Sequence, residues 1–146
     1  MPDYVGHLVK DLRFQHPSCL LVSGTSGSGK SWFIKNIIEQ NGIRGQINTI
    51  FYFMLQLEKF DLKPYNPNTR IFMDQGLPSK KFVDELLAQK RDDVLIVIDD
   101  QWRDCLKNRE VDRLIRHDRR HNKYSLIFVA QNYFEHTSGG NPKTMK

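Results

Sequence analysis

Gly24-Thr25-Ser26-Gly27-Ser28-Gly29-Lys30-Ser31 spells G-x-x-x-x-G-K-[ST], the spacing of a phosphate-binding P-loop. A strand-like run, Cys19-Leu20-Leu21-Val22-Ser23, enters it. A helix-like run, Trp32-Phe33-Ile34-Lys35-Asn36-Ile37-Ile38, leaves it. That strand–loop–helix order is what the chemistry needs. The glycines let successive backbone N–H groups turn inward around an anion. The helix that follows presents its positive N-terminal end to the same anion. Gly24, Thr25, Ser26, Gly27, Ser28, Gly29, Lys30, Ser31 and Trp32 then form a nucleotide cradle. Within it Lys30 reaches the β- and γ-phosphates and the Ser31 hydroxyl ligates Mg²⁺. The alternative, a Gly/Ser-rich turn with an incidental lysine, would not require matching flanks.

The chain has 146 residues, enough for one domain with its own core. It carries 22 Lys+Arg against 17 Asp+Glu, a net of +5, an excess that suits a phosphate-bearing partner. Its longest apolar run, Val94-Leu95-Ile96-Val97-Ile98, is far short of the ~20 residues that cross a bilayer, so no membrane partner is expected. Met1-Pro2-Asp3-Tyr4 lacks the basic and apolar regions of a signal peptide. Cys19, in an expected core strand, and Cys105, in an expected helix, read as reduced thiols of an intracellular protein. His117 and His121 stand i, i+4 on an expected helix without the acid that a metalloprotease motif requires.

Residues 1–17 read as an N-terminal arm with an amphipathic pattern in Leu8, Val9, Leu12 and Phe14. Residues 18–134 read as the domain, and residues 135–146 as a polar tail expected to be flexible. Apolar runs predict strands over 19–23, 47–55, 70–73, 93–99 and 125–130. Helical spacing predicts helices over 30–40, closed by Asn41-Gly42, and over 79–89, with a basic helix within 103–120. Strands alternating with helices predict an α/β fold, a three-layer α/β/α sandwich around a mainly parallel sheet of about five strands. In such sheets ligands bind at the carboxyl ends of the strands.

Two further features fall on strand ends. Val94–Ile98 closes on Asp99-Asp100, the arrangement that holds Mg²⁺ beside a P-loop. Adjacent strand residues face opposite sides, so Asp99 is expected to serve the metal while Asp100 polarises the attacking water. The alternative is a pair of acids that begins a turn or caps a helix. The strand over 125–130 runs into Gln131, an amide placed to sense the γ-phosphate or orient the water, or simply a turn residue. Ahead of it Arg109, Arg113, Arg116 and Arg120 share one helix face. Such a face is either solvated, or supplies a finger to a neighbouring subunit's γ-phosphate, or touches a nucleic-acid backbone. Arg119 and Arg120 are the candidates for the finger.

His16-Pro17-Ser18-Cys19-Leu20-Leu21-Val22-Ser23-Gly24, the P-loop, Phe72…Gly76-Leu77-Pro78, Asp99-Asp100, and Arg116-His117…Ser125-Leu126-Ile127-Phe128-Val129-Ala130-Gln131-Asn132 occur in that order. Together, over about residues 14–135, they resemble the DNA-packaging ATPases of eukaryotic DNA viruses and Maverick (Polinton) elements, within the FtsK–HerA superfamily. The resemblance implies an ATP-driven, Mg²⁺-dependent motor, usually a homo-oligomeric ring, that moves double-stranded DNA into a capsid. Capsid or portal components would be its partners, and the host nucleus, cytoplasm or virion its location. It implies that Lys30 and Ser31 serve nucleotide and magnesium, Asp99 the magnesium, Asp100 the water, and Gln131 the sensor. It also implies that the Gln131 strand lies between the P-loop strand and the Asp99 strand. Two departures stand out. Many superfamily members carry glutamate where Asp100 stands, and the family continues past the sensor strand, which implies a truncated or minimal version here. Two other functions fit the same motif: a nucleotide-binding module without turnover, and a small P-loop kinase with the arginine helix as a lid.

Overall fold

A strand buried on both faces reads as an unbroken apolar run, and Val94-Leu95-Ile96-Val97-Ile98 is such a run at the centre of the molecule. The computed structural model describes residues 13–25, 29–57, 61–117 and 124–131. In chain order the elements are β1 (Phe14–Gln15), β2 (Cys19–Gly24), α1 (Lys30–Glu39), β3 (Ile43–Arg44), β4 (Thr49–Met54) and β5 (Arg70–Gln75). They continue with α2 (Lys80–Gln89), β6 (Val94–Asp99), α3 (Trp102–Cys105), α4 (Arg109–His117) and β7 (Ser125–Gln131). The main sheet has five strands in the order β2-β7-β6-β4-β5, and every pairing in it is parallel. The Gln131 strand therefore lies between the P-loop strand and the Asp99 strand. A second, two-stranded sheet pairs β1 with β3, so Phe14 from the expected arm packs on the domain, in edge contact with Phe33. Leu8, Val9, Leu12 and the tail 135–146 lie outside the described residues.

The period-2 alternation of strands divides the core into two layers. Val94, Ile96 and Ile98 of β6 and Leu126 and Phe128 of β7 pack with Val83, Leu86, Val111 and Leu114 beneath α2 and α4. Leu95 and Val97 of β6, Ile127 and Val129 of β7, and Tyr52 and Met54 of β4 pack with Ile34, Ile37 and Ile38 of α1. The result is helix, sheet, helix. Each fully buried aliphatic side chain contributes about 1.5–3 kcal/mol. One consequence governs the site: at each strand's carboxyl end, parity decides which residue faces α1.

Two expectations are corrected and one is refined. The basic helix expected within 103–120 is α4, Arg109–His117, and a short α3, Trp102–Cys105, precedes it. The break between them is made by Asn108, whose side chain accepts a hydrogen bond from the Val111 N–H at 2.9 Å and caps the new helix. Cys19 is exposed, whereas Cys105 is buried. Its strand is the sheet's edge, and an apolar run cannot distinguish edge from centre. Finally, β5 extends past Met73 to Gln75, because its pairing with β4 continues to Met54↔Gln75. The stop at Asn41-Gly42 holds for a reason beyond turn chemistry. A Cβ on Gly42 would sit 2.8 Å from Ile37 Cα, so close backbone approach demands glycine there.

The amino ends of the strands are knitted shut. Arg91 grips both oxygens of Asp93 (2.8 and 3.0 Å) and donates to Thr49 Oγ1 at 2.7 Å. Asn48 donates to Asp93 Oδ2 at 3.0 Å. These partners, Arg91 foremost, hold the Asp93 carboxyl below the usual carboxylate range. His16 joins the Ser125 hydroxyl (2.6 Å) to the Asp92 carbonyl (2.5 Å), and the Ser18 N–H donates to the same hydroxyl at 3.1 Å.

Candidate active site

Helix α1 begins at Gly29, whose φ of 93° is left-handed and suits glycine. Among the described residues no side chain caps this helix. Helix α2 differs: its Ser79 hydroxyl accepts from the Phe82 N–H at 3.1 Å. The first turn of α1 thus faces the cleft without a side-chain acceptor among the described residues. Lys30, its first residue, folds back toward the strand. Its Nζ donates to the carbonyls of Gly24 at 2.8 Å and Thr25 at 2.9 Å. The ammonium therefore stands where β2 enters the loop.

Parity brings the other groups to the same place. On β6, Leu95 and Val97 face α1, so Asp99 does too. On β7, Ile127 and Val129 face α1, so Gln131 does too. Gly29, Lys30, Ser31, Trp32, Asp99, Asp100 and Gln131 line one cleft of ≈ 550 Å³, with Met54, Leu55 and Gln56 from the end of β4. Trp32 stands 70% exposed at its rim. Ser26, Gly27, Ser28, Arg119 and Arg120 lie outside the described residues.

The expected opposition of Asp99 and Asp100 is corrected. Strand β6 ends at Asp99, and Asp100 takes a left-handed φ of 59°. Its N–H still bonds the Val129 carbonyl at 2.8 Å, so the ladder is intact while the chain turns. The turn replaces strand alternation, and both acids line the same cleft. A left-handed non-glycine residue costs roughly 1–2 kcal/mol, aspartate being among the more tolerant.

Two residues with a place at the site carried no sequence signal. Tyr52, fully buried on β4, donates its hydroxyl to Asp99 Oδ2 at 2.8 Å. Burial, and then the charge of Asp99, drive that hydroxyl's pKa upward, so it stays a proton donor. Gln101, also buried, donates to the Gly76 carbonyl at 2.9 Å. It ties the Gly76-Leu77-Pro78 turn to the segment just after Asp100. Both contacts depend on strand register, which is non-local.

The arginine face is largely engaged. Arg113 pairs with Glu110 (2.7 Å) and with Asp84 of α2 (2.8 Å), and Arg116 pairs with Asp112 (2.7 Å). Such exposed pairs contribute roughly 0–1 kcal/mol. Burial pushes the Cys105 thiol up to about 12, which keeps it protonated and inert.

The cleft suits a hard cation held mainly by a substrate's own oxygens. It offers a hydroxyl and two carboxylates beside a lysine, and among the described residues no group of three His, Cys, Asp or Glu stands ready to cage a metal. Magnesium bound by one or two carboxylates plus phosphate oxygens has that donor set. A larger cleft of ≈ 680 Å³ lies at the opposite end of the sheet, lined by Ile37, Ile43, Ile47 and Leu95. Among the described residues its lining presents no carboxylate and no cation.

No family model matches the chain, and no curated protein does. Among solved structures, the ATPase DotB of Legionella pneumophila is similar, with a TM-score of 0.46 and 16% identity. The match covers 96% of this chain and 36% of that one, so this chain spans about a third of its length.

Proposed function

We propose that the protein is a Mg²⁺-dependent ATPase, and that it drives double-stranded DNA as a packaging motor does. One observation carries the ATPase reading: three adjacent parallel strands deliver Lys30–Ser31, Gln131 and Asp99–Asp100 to a single cleft at their carboxyl ends. Lys30 and the loop N–H groups would hold the β- and γ-phosphates. Ser31 and Asp99 would hold Mg²⁺, which offsets charge on the phosphate oxygens. Asp100 would orient the attacking water and take its proton as the oxygen bonds to the γ-phosphorus and the β,γ-bridging oxygen departs. Gln131 would position the same water. Trp32, exposed at the rim, would border the bound nucleotide.

The motor reading is supported by the ordered motifs that resemble viral and Maverick packaging ATPases and by the net charge of +5. Work on DNA by a homo-oligomeric ring, with capsid or portal partners inside a host cell or virion, belongs to this proposal. So does a finger role for Arg119 or Arg120.

The test is phosphate release from ATP with and without duplex DNA, for the wild type and Lys30→Ala. The proposal expects DNA-stimulated release that Lys30→Ala abolishes. Release indifferent to DNA sinks the motor, and phosphate appearing on a small acceptor supports a kinase. No release above the Lys30→Ala background, despite ATP binding, leaves a binding module without turnover.

A further inference from the structure

We propose that Tyr52 is a positioning residue for the magnesium site, its hydroxyl holding the Asp99 carboxylate in the orientation that meets the metal beside Ser31. The inference rests on the ATPase reading and assigns that site a member the motifs do not contain.

The geometry is specific. β4 and β6 run parallel with Tyr52 opposite Val97 and Met54 opposite Asp99. Tyr52 and Asp99 therefore share the α1 face, offset by two residues, about 6.6 Å along the strands. A phenol is long enough to close that gap. Its hydroxyl reaches Asp99 Oδ2 at 2.8 Å, a short, charge-assisted bond. A bond from a neighbouring, fully buried side chain to one oxygen restricts the rotation of the carboxylate that is to meet the metal. Tyr52 is itself 0% exposed and belongs to the buried cluster with Ile34, Ile38, Leu95 and Val97. Phenylalanine would fill that space as well and make no bond to Asp99. Hydrogen bonds to a metal-ligating carboxylate typically matter about 10–100-fold in metal affinity or activity.

The readout is equilibrium binding of a fluorescent ATP analogue to the full chain, with Mg²⁺ titrated against chelator. Tyr52→Phe should bind the metal-free nucleotide as the wild type does and need about 10-fold more Mg²⁺ to reach its tight-binding state. Tyr52→Met, flexible enough to occupy the vacated volume, should raise the requirement in the same direction. Tyr124→Phe is the structural control: it also loses a buried tyrosine bond, to the Leu114 carbonyl, and should leave the Mg²⁺ requirement unchanged. In an Asp99→Ala background, which removes the acceptor, adding Tyr52→Phe should change nothing further.

An unchanged Mg²⁺ requirement in Tyr52→Phe, or equal weakening with and without metal, overturns the inference and leaves the ATPase reading standing. An undiminished effect of Tyr52→Phe in the Asp99→Ala background overturns it too. A wild type that binds no nucleotide with Mg²⁺ overturns both together.

Discussion

The two ends of one sheet are built to opposite rules. At the amino ends, polar groups are spent on one another. Arg91, Asp93, Asn48 and Thr49 form a closed network, and His16 clasps Ser125 to Asp92. At the carboxyl ends, polar groups are gathered and left facing a cleft. α1 starts without a side-chain cap, Asp100 sits at a left-handed φ, and the side chains of Ser31, Asp100 and Gln131 make no hydrogen bond among the described residues. Ser31, Asp100 and Gln131 are exposed, so water satisfies them and they stay open to a ligand, whereas the groups at the amino ends are paired within the fold. Pairing at one end and openness at the other separate stability from chemistry: mutations at the closed end should act first on stability, and those at the open end first on activity.

The largest expected effect is at the open end. Asp100→Asn should lower ATP hydrolysis by about 10²–10⁴-fold, the usual worth of a general base, while nucleotide binding and the melting temperature hold. A melting temperature that falls with activity would break the comparison, because Asp100 would then be structural. The converse at the closed end is Arg91→Ala. It should cost about 1 kcal/mol of stability, since the pair is partly exposed, and leave hydrolysis per folded molecule untouched. Chemical denaturation beside phosphate release measures both. Asp100→Gly sharpens the distinction: it removes a left-handed aspartate, so it should raise stability by up to about 1 kcal/mol while removing activity.

The smallest effect is in pH. Asp93 has a folded-state pKa lowered chiefly by Arg91. Its stabilisation is therefore complete above the unfolded carboxylate value of about 3.9 and is lost as pH falls through the lower, folded value. Arg91→Ala should flatten the acid limb of a stability–pH curve below about pH 4. An unaltered limb would show that Asp93 does not contribute there.

What the sequence disclosed follows from what is local. The P-loop, its two flanks, the buried run over Val94–Ile98 and the helix stop at Asn41-Gly42 are each written in adjacent residues, and they suffice for the α/β alternation. Strand parity is local too, which is why Asp99 and Gln131 were legible as strand-end groups. Edge position is not, so Cys19 looked internal. The acid pair allowed either a continuing strand or the start of a turn, and only the backbone beyond Asp99, with Asp100 at a left-handed φ, decides for the turn. Asn108, by contrast, was readable as a helix start between two short helices, a signal masked by the basic run around it. Tyr52 and Gln101 meet their partners across 47 and 25 residues of chain, and no spacing rule within one segment reaches that far.

The central claim is that Mg²⁺ and a triphosphate occupy the carboxyl-end cleft, and a crystal structure with Mg²⁺ and a non-hydrolysable ATP analogue tests it most directly. The account expects the phosphates against Lys30 and the metal between Ser31 and Asp99. An analogue lodged instead in the apolar cleft under α1, with Lys30 still on the carbonyls of Gly24 and Thr25, would contradict it.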